Sequence, residues 1–170
     1  RHKRPGEALA AIAAQLARFP RNVELMREHI RCLKELGRVT EAIEVYAFKR
    51  DKEPDEALWH YALGFAYSWV GPAGRQQAVD LCEQALTLDP TLKWAHYNLG
   101  FVKHEMGQST ASIAHYEAAI ACDPTFALAF YNLGVLHQDR EDFTHAAEYL
   151  ERALALDPSS INAAFGAAVS

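Results

Sequence analysis

The sequence has no apolar run that approaches the ~18–20 residues of a membrane-spanning helix, which argues against membrane insertion. Its N-terminal residues, RHKRPGEAL, are basic, but no apolar signal-peptide core follows them. There is no initiator Met, and the last residues break off inside a repeated phrase. We therefore expect the 170 residues to be an excerpt of a longer protein.

Cysteine is scarce, with only Cys32, Cys82 and Cys122. An odd number with no C-x-x-C pair excludes a disulfide framework. Each cysteine lies on an apolar stripe, so we expect three buried thiols that pack as small hydrophobic residues. Free thiols are typical of a reducing compartment, and we expect a cytoplasmic location.

Basic residues become rare after residue 56. Residues 1–56 contain 12 Lys or Arg and 10 Asp or Glu, whereas residues 57–170 contain 5 and 12. Nucleic-acid binding needs clustered Lys and Arg that displace counterions from phosphates, so this balance argues against a nucleic-acid partner. The acidic part of the chain is compatible with a basic partner.

Catalytic and metal-binding motifs are also missing. The sequence contains no H-E-x-x-H and no Cys/His cluster at zinc spacing. Phosphate-binding G-x-x-x-x-G-K-S/T, G-x-G-x-x-G and the nucleophile motif G-x-S-x-G are absent as well. We therefore expect no catalytic residue, no metal and no cofactor, and we interpret the eight histidines as packing or surface residues.

One phrase recurs along the chain. Residues 85–102 read ALTLDPTLKWAHYNLGFV, and 34 positions later residues 119–136 read AIACDPTFALAFYNLGVL. After another 34 positions, residues 153–170 read ALALDPSSINAAFGAAVS. A period of 20–50 residues indicates stacked supersecondary units, each of which buries its apolar face against its neighbours.

The repeats align on a Leu-Gly pair, which is followed by a small residue and then by Asp-Pro. The glycines are Gly64, Gly100 and Gly134, and the small residues are Ala78, Ser112 and Ala146. This pattern resembles the tetratricopeptide repeat, whose phrase is W-x₂-L-G-x₂-Y, then A-x₃-F, then P. The resemblance divides the chain into a partial repeat at 1–22, a divergent repeat at 23–56, a repeat with a two-residue insertion at 57–92, repeats at 93–126 and 127–160, and the start of a further repeat at 161–170.

Each repeat is predicted to be a helical hairpin. Apolar residues recur at three- and four-residue steps, as at Leu92, Ala95, His96, Leu99 and Val102, which is the stripe of an amphipathic helix. Gly107 is expected to end that helix, Ser109 to cap the next, and Thr125 to cap the one after. Gly100 and Ala119 are small enough to let the two backbones approach closely.

The resemblance implies an all-α fold, a right-handed α-solenoid of tetratricopeptide helix-turn-helix repeats. In this family the first helices of successive repeats line a concave groove that binds peptide segments of other proteins. His29-Ile30 stands where Leu-Gly is expected, so the resemblance leaves the helix spacing of the repeat at 23–56 open.

The same resemblance suggests the residues of the groove. Asn98 and Asn132 occupy a position where the family often has Asn, and in some members such residues form a ladder that holds a peptide backbone. An amide suits this role because it both donates and accepts hydrogen bonds. Aromatic residues on the same helices predict an exposed apolar strip that anchors the partner: Tyr61, Phe65, Trp69, Trp94, Tyr97, Phe101 and Tyr131.

The sequence therefore favours a non-catalytic scaffold that binds a peptide or helical segment of a partner protein in its concave groove. Two alternatives stay open. The chain could be the substrate-recruiting arm of a larger enzyme, such as a protein glycosyltransferase, because the family includes such proteins. It could also self-assemble through the open ends at 1–22 and 161–170, because true terminal repeats are usually polar.

Overall fold

The computed structural model describes residues 5–159. Within this range the chain forms α-helices and no β-strand, which confirms the all-α prediction. The helices are α1 (Pro5–Arg18), α2 (Val23–Glu35), α3 (Val39–Lys52), α4 (Ala57–Ser68), α5 (Arg75–Leu88), α6 (Lys93–Glu105), α7 (Ser109–Cys122), α8 (Ala127–Asp139) and α9 (Phe143–Leu156). None of these helices is long and apolar enough to cross a bilayer.

The helices divide into two compact units. Unit 1 extends to Pro90 and contains α1 to α5, and unit 2 begins at Thr91 and contains α6 to α9. Helices pack in consecutive antiparallel pairs, α2 with α3, α4 with α5, α6 with α7, and α8 with α9. One such pair lies in each of the four predicted repeats from 23 to 160, whereas the predicted repeat start at 161–170 lies outside the described residues.

Close packing within a pair depends on the glycine of the first helix. A Cβ at Gly64 would lie 2.9 Å from Cys82 Sγ, and one at Gly134 would lie 2.6 Å from Leu150 Cγ. Ile30 occupies the equivalent position of α2 and is itself buried. Consequently α2 and α3 are less closely packed than the other three pairs, in the repeat whose helix spacing the resemblance left open.

Three details of the sequence interpretation were wrong. Ser109 is the first helical residue of α7 rather than its cap, and Gln108, which precedes it, makes no side-chain cap bond. Thr125 does not cap α8; its backbone N–H and its hydroxyl both bond Asp123 Oδ1. Cys122 is exposed, whereas the other two cysteines are buried, because six residues at 3.6 per turn place it about 120° around α7 from the buried Tyr116.

The turns after α2, α6 and α8 each place one residue at a similar positive φ. Gly107 ends α6 with φ 74°, as predicted, and Gly37 follows α2 with φ 71°. The equivalent residue after α8 is Glu141, with φ 60°. A side chain in this left-handed region is strained, whereas glycine adopts it readily.

We expect the substitution Glu141→Gly to raise the free energy of unfolding by about 1 kcal/mol, because it removes the left-handed strain. The control is Glu148→Gly on the exposed side of α9, where glycine should lower the free energy by about 1 kcal/mol. Urea denaturation of the two variants measures both values. A Glu141→Gly variant that is no more stable than the native chain would contradict the argument.

Candidate functional site

A cleft in unit 2 brings together residues from α6, α7 and α8. Its volume is about 210 Å³, and its walls are mostly apolar. The lining residues are Phe101, His104, Tyr116, Tyr131, Asn132, Val135 and Leu136. Three of the nine groove residues predicted from the sequence, Phe101, Tyr131 and Asn132, therefore share one concave surface.

Asn132 is held in place by tyrosine hydroxyls. Its Nδ2 donates a hydrogen bond of 3.0 Å to Tyr97 Oη. Burial raises the pKa of Tyr116, and a side-chain hydrogen bond with Asn132 opposes that rise. An amide has two donor hydrogens and two acceptor lone pairs, so these two contacts orient the Asn132 side chain and leave part of its hydrogen-bonding capacity for a partner.

The two asparagines differ in accessibility. Asn98 is only 2% exposed, whereas Asn132 is half-buried at the cleft. The sequence predicts the same role for both residues because they occupy equivalent positions in consecutive repeats. Packing separates them, and the predicted role of Asn98 in holding a peptide stays a prediction.

Trp94 and Tyr97 belong to an aromatic cluster in unit 2. The Trp94 ring meets Phe126 edge-on with centroids 4.6 Å apart, and Tyr97 lies 5.3 Å from Phe126 and 5.6 Å from Tyr116. Both predicted residues are half-buried and pack against the core around Leu133. They therefore contribute to the packing of the helices and keep part of their surface accessible to solvent.

A second concavity of unit 2 lies beside this cluster. Its volume is about 420 Å³, and Lys93, Trp94, Asp123 and Phe126 contribute to its lining. Lys93 Nζ lies 2.5 Å from Asp123 Oδ2 and 5.0 Å from the centroid of the Phe126 ring. The hydrogen bonds from Lys93 and Thr125 lower the pKa of Asp123 to about 2. An anion at this position would meet Asp123, so the concavity is poorly suited to an acidic partner.

The predicted aromatic strip is largely covered in unit 1. Tyr61 and Phe65 stack with centroids 6.1 Å apart but are only 0% and 5% exposed. Arg27 of α2 covers them: its Nη1 donates to Tyr61 Oη at 2.6 Å, and its Cζ lies 4.6 Å from the Phe65 centroid. Lys34 Nζ lies 4.8 Å from the half-buried ring of Trp69.

The expectation of a continuous exposed aromatic strip therefore needs correction. Tyr61, Phe65 and Tyr131 are buried, and the partly accessible aromatic residues are Trp69, Trp94, Tyr97 and Phe101. Helix periodicity places all seven on the first helices of their repeats. It does not show that a long side chain such as Arg27 lies across two of them.

One cluster was missed by the sequence interpretation. His137, Asp142 and His145 each offer a metal-ligand atom, and these atoms all lie within 4.8 Å of one another. Among the residues that the structure describes, it is the one group of three or more such side chains. The signal in the sequence is the spacing H-x₄-D-x₂-H across a predicted helix turn, which matches no common metal motif.

Family models of the tetratricopeptide repeat match most of the chain. Those described as tetratricopeptide repeat match residues 1–50, 81–114 and 127–160, and one described as TPR repeat matches residues 102–140. A sequence search of curated proteins finds no significant match.

Solved structures share the fold. The crystal structure of MamA is 25% identical with a TM-score of 0.66, over 91% of this chain and 89% of that chain. TTC0263, a thermophilic TPR protein in Thermus thermophilus, is 20% identical with a TM-score of 0.78, and the match covers 98% of this chain and 91% of that chain. The crystal structure of the APC/C hetero-tetramer Cut9–Hcn1 is 23% identical with a TM-score of 0.77, and the match covers 91% of this chain and 29% of that chain.

These matches agree with the helical pairs and with the repeat period. They confirm the fold class, an all-α solenoid of helix-turn-helix repeats, and they support a protein-interaction scaffold. Proteins built from such repeats are typically non-catalytic. The chain belongs to the tetratricopeptide repeat family.

Proposed function

We propose that the chain is a scaffold without catalysis of its own, and that it binds a segment of a partner protein at the cleft between α6 and α8. The observation that carries this proposal is the cleft itself, in which Phe101, Tyr131 and Asn132 meet. Concave, mostly apolar surfaces with a few oriented polar groups are the usual form of a binding site.

The size of the cleft favours one side chain of a partner over a small-molecule ligand. Small-molecule pockets usually measure about 300–1,000 Å³, and this cleft measures about 210 Å³. Phe101 and Val135 give it apolar walls, so an apolar side chain of the partner would lose its contact with water there. Burial of this kind contributes about 1.5–3 kcal/mol for a Leu- or Phe-sized side chain.

Asn132 would set the orientation of the bound peptide segment. The tyrosines Tyr97 and Tyr116 already orient its amide, so little side-chain entropy is lost when it bonds a partner. Its remaining donor and acceptor capacity suits the N–H and C=O groups of a peptide backbone. The apolar anchor and the amide together would fix one residue of the partner and its chain direction.

The excess of acidic residues in unit 2 indicates the charge that a partner segment should carry. Residues 91–159 contain 4 Lys or Arg and 9 Asp or Glu. Complementary charge speeds association and disfavours partners of the same sign. We therefore propose a segment with an apolar residue flanked by Lys or Arg.

The other predicted residues have different parts in this proposal. Trp94 and Tyr97 are half-buried residues of α6, and Tyr97 bonds Asn132 at the cleft, whereas Asn98 is buried within the packing of the same helix. In unit 1, Trp69 is the predicted groove residue that stays partly accessible, and Tyr61 and Phe65 form the layer beneath Arg27.

A peptide-library selection on the native chain tests the proposal. We expect the enriched peptides to carry an apolar residue next to basic ones. The variants Phe101→Ala and Asn132→Ala should each weaken binding of the enriched peptide by about tenfold or more, because truncating a central contact costs over 1 kcal/mol. Isothermal titration calorimetry measures the affinities, and circular dichroism confirms that the variants fold.

The matched control is Phe143→Ala on α9, where the ring is 64% exposed and outside the cleft. We expect it to bind the peptide as the native chain does. The cleft is the wrong site if the enriched peptide binds Phe101→Ala normally, or if Phe143→Ala loses as much affinity.

The two alternatives predict other results. Self-assembly would give a molecular mass that rises with concentration in light scattering, with no peptide enriched. A substrate-recruiting arm would enrich peptides in the same way as a scaffold, so the catalytic domain of the longer protein would distinguish it.

A further inference from the structure

The turn between α8 and α9 folds back so that its last residue lies beside α8. The backbone N–H of Asp142 donates to His137 O at 2.9 Å, and that of Arg140 donates to the same oxygen at 3.2 Å. Asp142 is also the N-cap of α9, with its carboxylate near the backbone N–H of His145. The backbone therefore places Asp142 beside His137, and its carboxylate caps the helix that carries His145.

The side chains complete the arrangement. Asp142 Oδ2 lies 3.1 Å from His137 Nδ1 and 2.8 Å from His145 Nδ1, and the two imidazole centroids are 5.4 Å apart. The ring of Tyr149 lies 5.3 Å from that of His137 and packs against it. Two imidazoles and one carboxylate thus converge from two helices that are braced by the turn.

We propose that His137, Asp142 and His145 bind a divalent transition-metal ion, with Zn²⁺ as the best fit. Two nitrogen ligands and one carboxylate oxygen form a set that is common for zinc with three protein ligands. A tetrahedral ion with bonds of about 2.0–2.1 Å places its ligand atoms about 3.3 Å apart. The observed separations, 2.8 and 3.1 Å within a group that spans 4.8 Å, need only small side-chain rotations to reach this geometry.

The fourth coordination position would face solvent. The exposed fraction of the side chain rises from 15% at His137 to 38% at Asp142 and 57% at His145. His137 is thus the inner ligand, and the open side lies toward His145. Water fills such a position in zinc sites with three protein ligands.

The corresponding turn between α6 and α7 shows what is particular to this site. Its backbone is the same, since the N–H of Gln108 donates to Lys103 O at 2.8 Å. The positions equivalent to the three proposed ligands hold Lys103, Gln108 and Ala111, and this set offers no imidazole or carboxylate. The fold of the repeat therefore supplies the turn, and three side chains of one repeat supply the site.

Titration of the chain with ZnCl₂, free of any histidine tag, tests the proposal. We expect one ion per chain by calorimetry, a higher Tm with Zn²⁺, and the visible absorption of a tetrahedral site when CoCl₂ replaces ZnCl₂. The variants His137→Ala, His145→Ala and Asp142→Asn should each weaken binding at least tenfold, because changes to outer-shell partners alone cost 10–100-fold. Asn at position 142 can still cap α9, so this variant separates ligation from helix stability.

Two control variants locate the ion. His115→Ala removes a histidine from a pair whose centroids are 5.9 Å apart, and we expect it to bind Zn²⁺ as the native chain does. Cys122→Ser removes the exposed thiol and should also leave binding unchanged. The proposal fails if the native chain binds no Zn²⁺, if the three ligand variants bind like the native chain, or if binding disappears with Cys122→Ser.

Discussion

Replacing Trp59 with alanine should lower the free energy of unfolding by about 3–5 kcal/mol, the usual cost of removing a buried aromatic side chain. The Trp59 side chain is buried at the start of α4, with only 2% of the residue exposed. Its Nε1 donates to Glu53 Oε2 at 3.2 Å, and Lys49 Nζ lies 4.7 Å from its ring centroid. Truncation would leave a cavity and remove contacts between α3 and α4 at once.

The polar surroundings of Trp59 allow the loss of its hydrogen bond to be separated from the loss of its buried volume. Glu53 also accepts a hydrogen bond of 2.8 Å from Arg21, and half of its side chain is exposed. Loss of the Trp59 bond should therefore cost little, so Trp59→Phe should lose about 1 kcal/mol. Phe48→Ala, at a residue that is 64% exposed, should change stability by less than about 0.5 kcal/mol.

Urea denaturation followed by circular dichroism measures all three variants. If Trp59→Phe costs as much as Trp59→Ala, the hydrogen bond rather than the buried volume stabilises this junction. If Trp59→Ala costs under 1 kcal/mol, the start of α4 is not packed as described.

The second large effect is expected at Gly100, where a leucine should cost about 3 kcal/mol through overpacking. A Cβ at this position would lie 2.8 Å from Cδ1 and Cε1 of Tyr116. The Tyr116 ring is buried and lies 5.6 Å from the ring of Tyr97, so it has little room to move. Ser112 Oγ also donates to Gly100 O at 2.6 Å, which holds α6 and α7 at this separation.

A matched substitution and a rescue test the cause. Gly6→Leu places the same side chain at a helical glycine with no neighbouring atom within 4 Å, and we expect no loss of stability there. Adding Tyr116→Ala to Gly100→Leu should cost less than the sum of the two single changes, because the leucine fills part of the lost ring volume. Strict additivity, or an equal loss at Gly6, would show that steric overlap with Tyr116 is not the cause.

Both substitutions act on contacts between neighbouring helices, which is where the stability of a repeat protein lies. No single hairpin buries its apolar face alone. The free energy of unfolding is therefore approximately the sum of the stability of each hairpin and the energies of the interfaces between neighbouring hairpins. Trp59 contributes to a contact between successive repeats, and Gly100 to one within a repeat.

Several features of the fold follow from the sequence alone. The 34-residue period and the apolar stripes predict the helices because both depend on residues three or four positions apart. The left-handed conformation of Gly107 follows from local backbone sterics. The wider α2–α3 pair is also predictable, since Ile30 cannot allow the approach that Gly100 allows.

The candidate site was predictable only in part. Helix periodicity places Phe101, Tyr131 and Asn132 on the first helices of their repeats, and the structure joins them in one cleft. Periodicity could not predict that Asn98 is buried and Asn132 half-buried, because the two residues occupy equivalent positions. Their difference arises from side chains of other helices.

The sequence by itself determined the repeat, the helices and the glycines of close approach, because these depend on short-range spacing and on the presence or absence of a Cβ. Only the tertiary structure decided which aromatic rings are covered and which polar groups meet. Arg27 lies over Phe65 from 38 positions away, and a turn of the backbone brings His137, Asp142 and His145 together. Such contacts depend on the rotamers of long side chains and on the path of the chain, which the spacing of residue types does not specify.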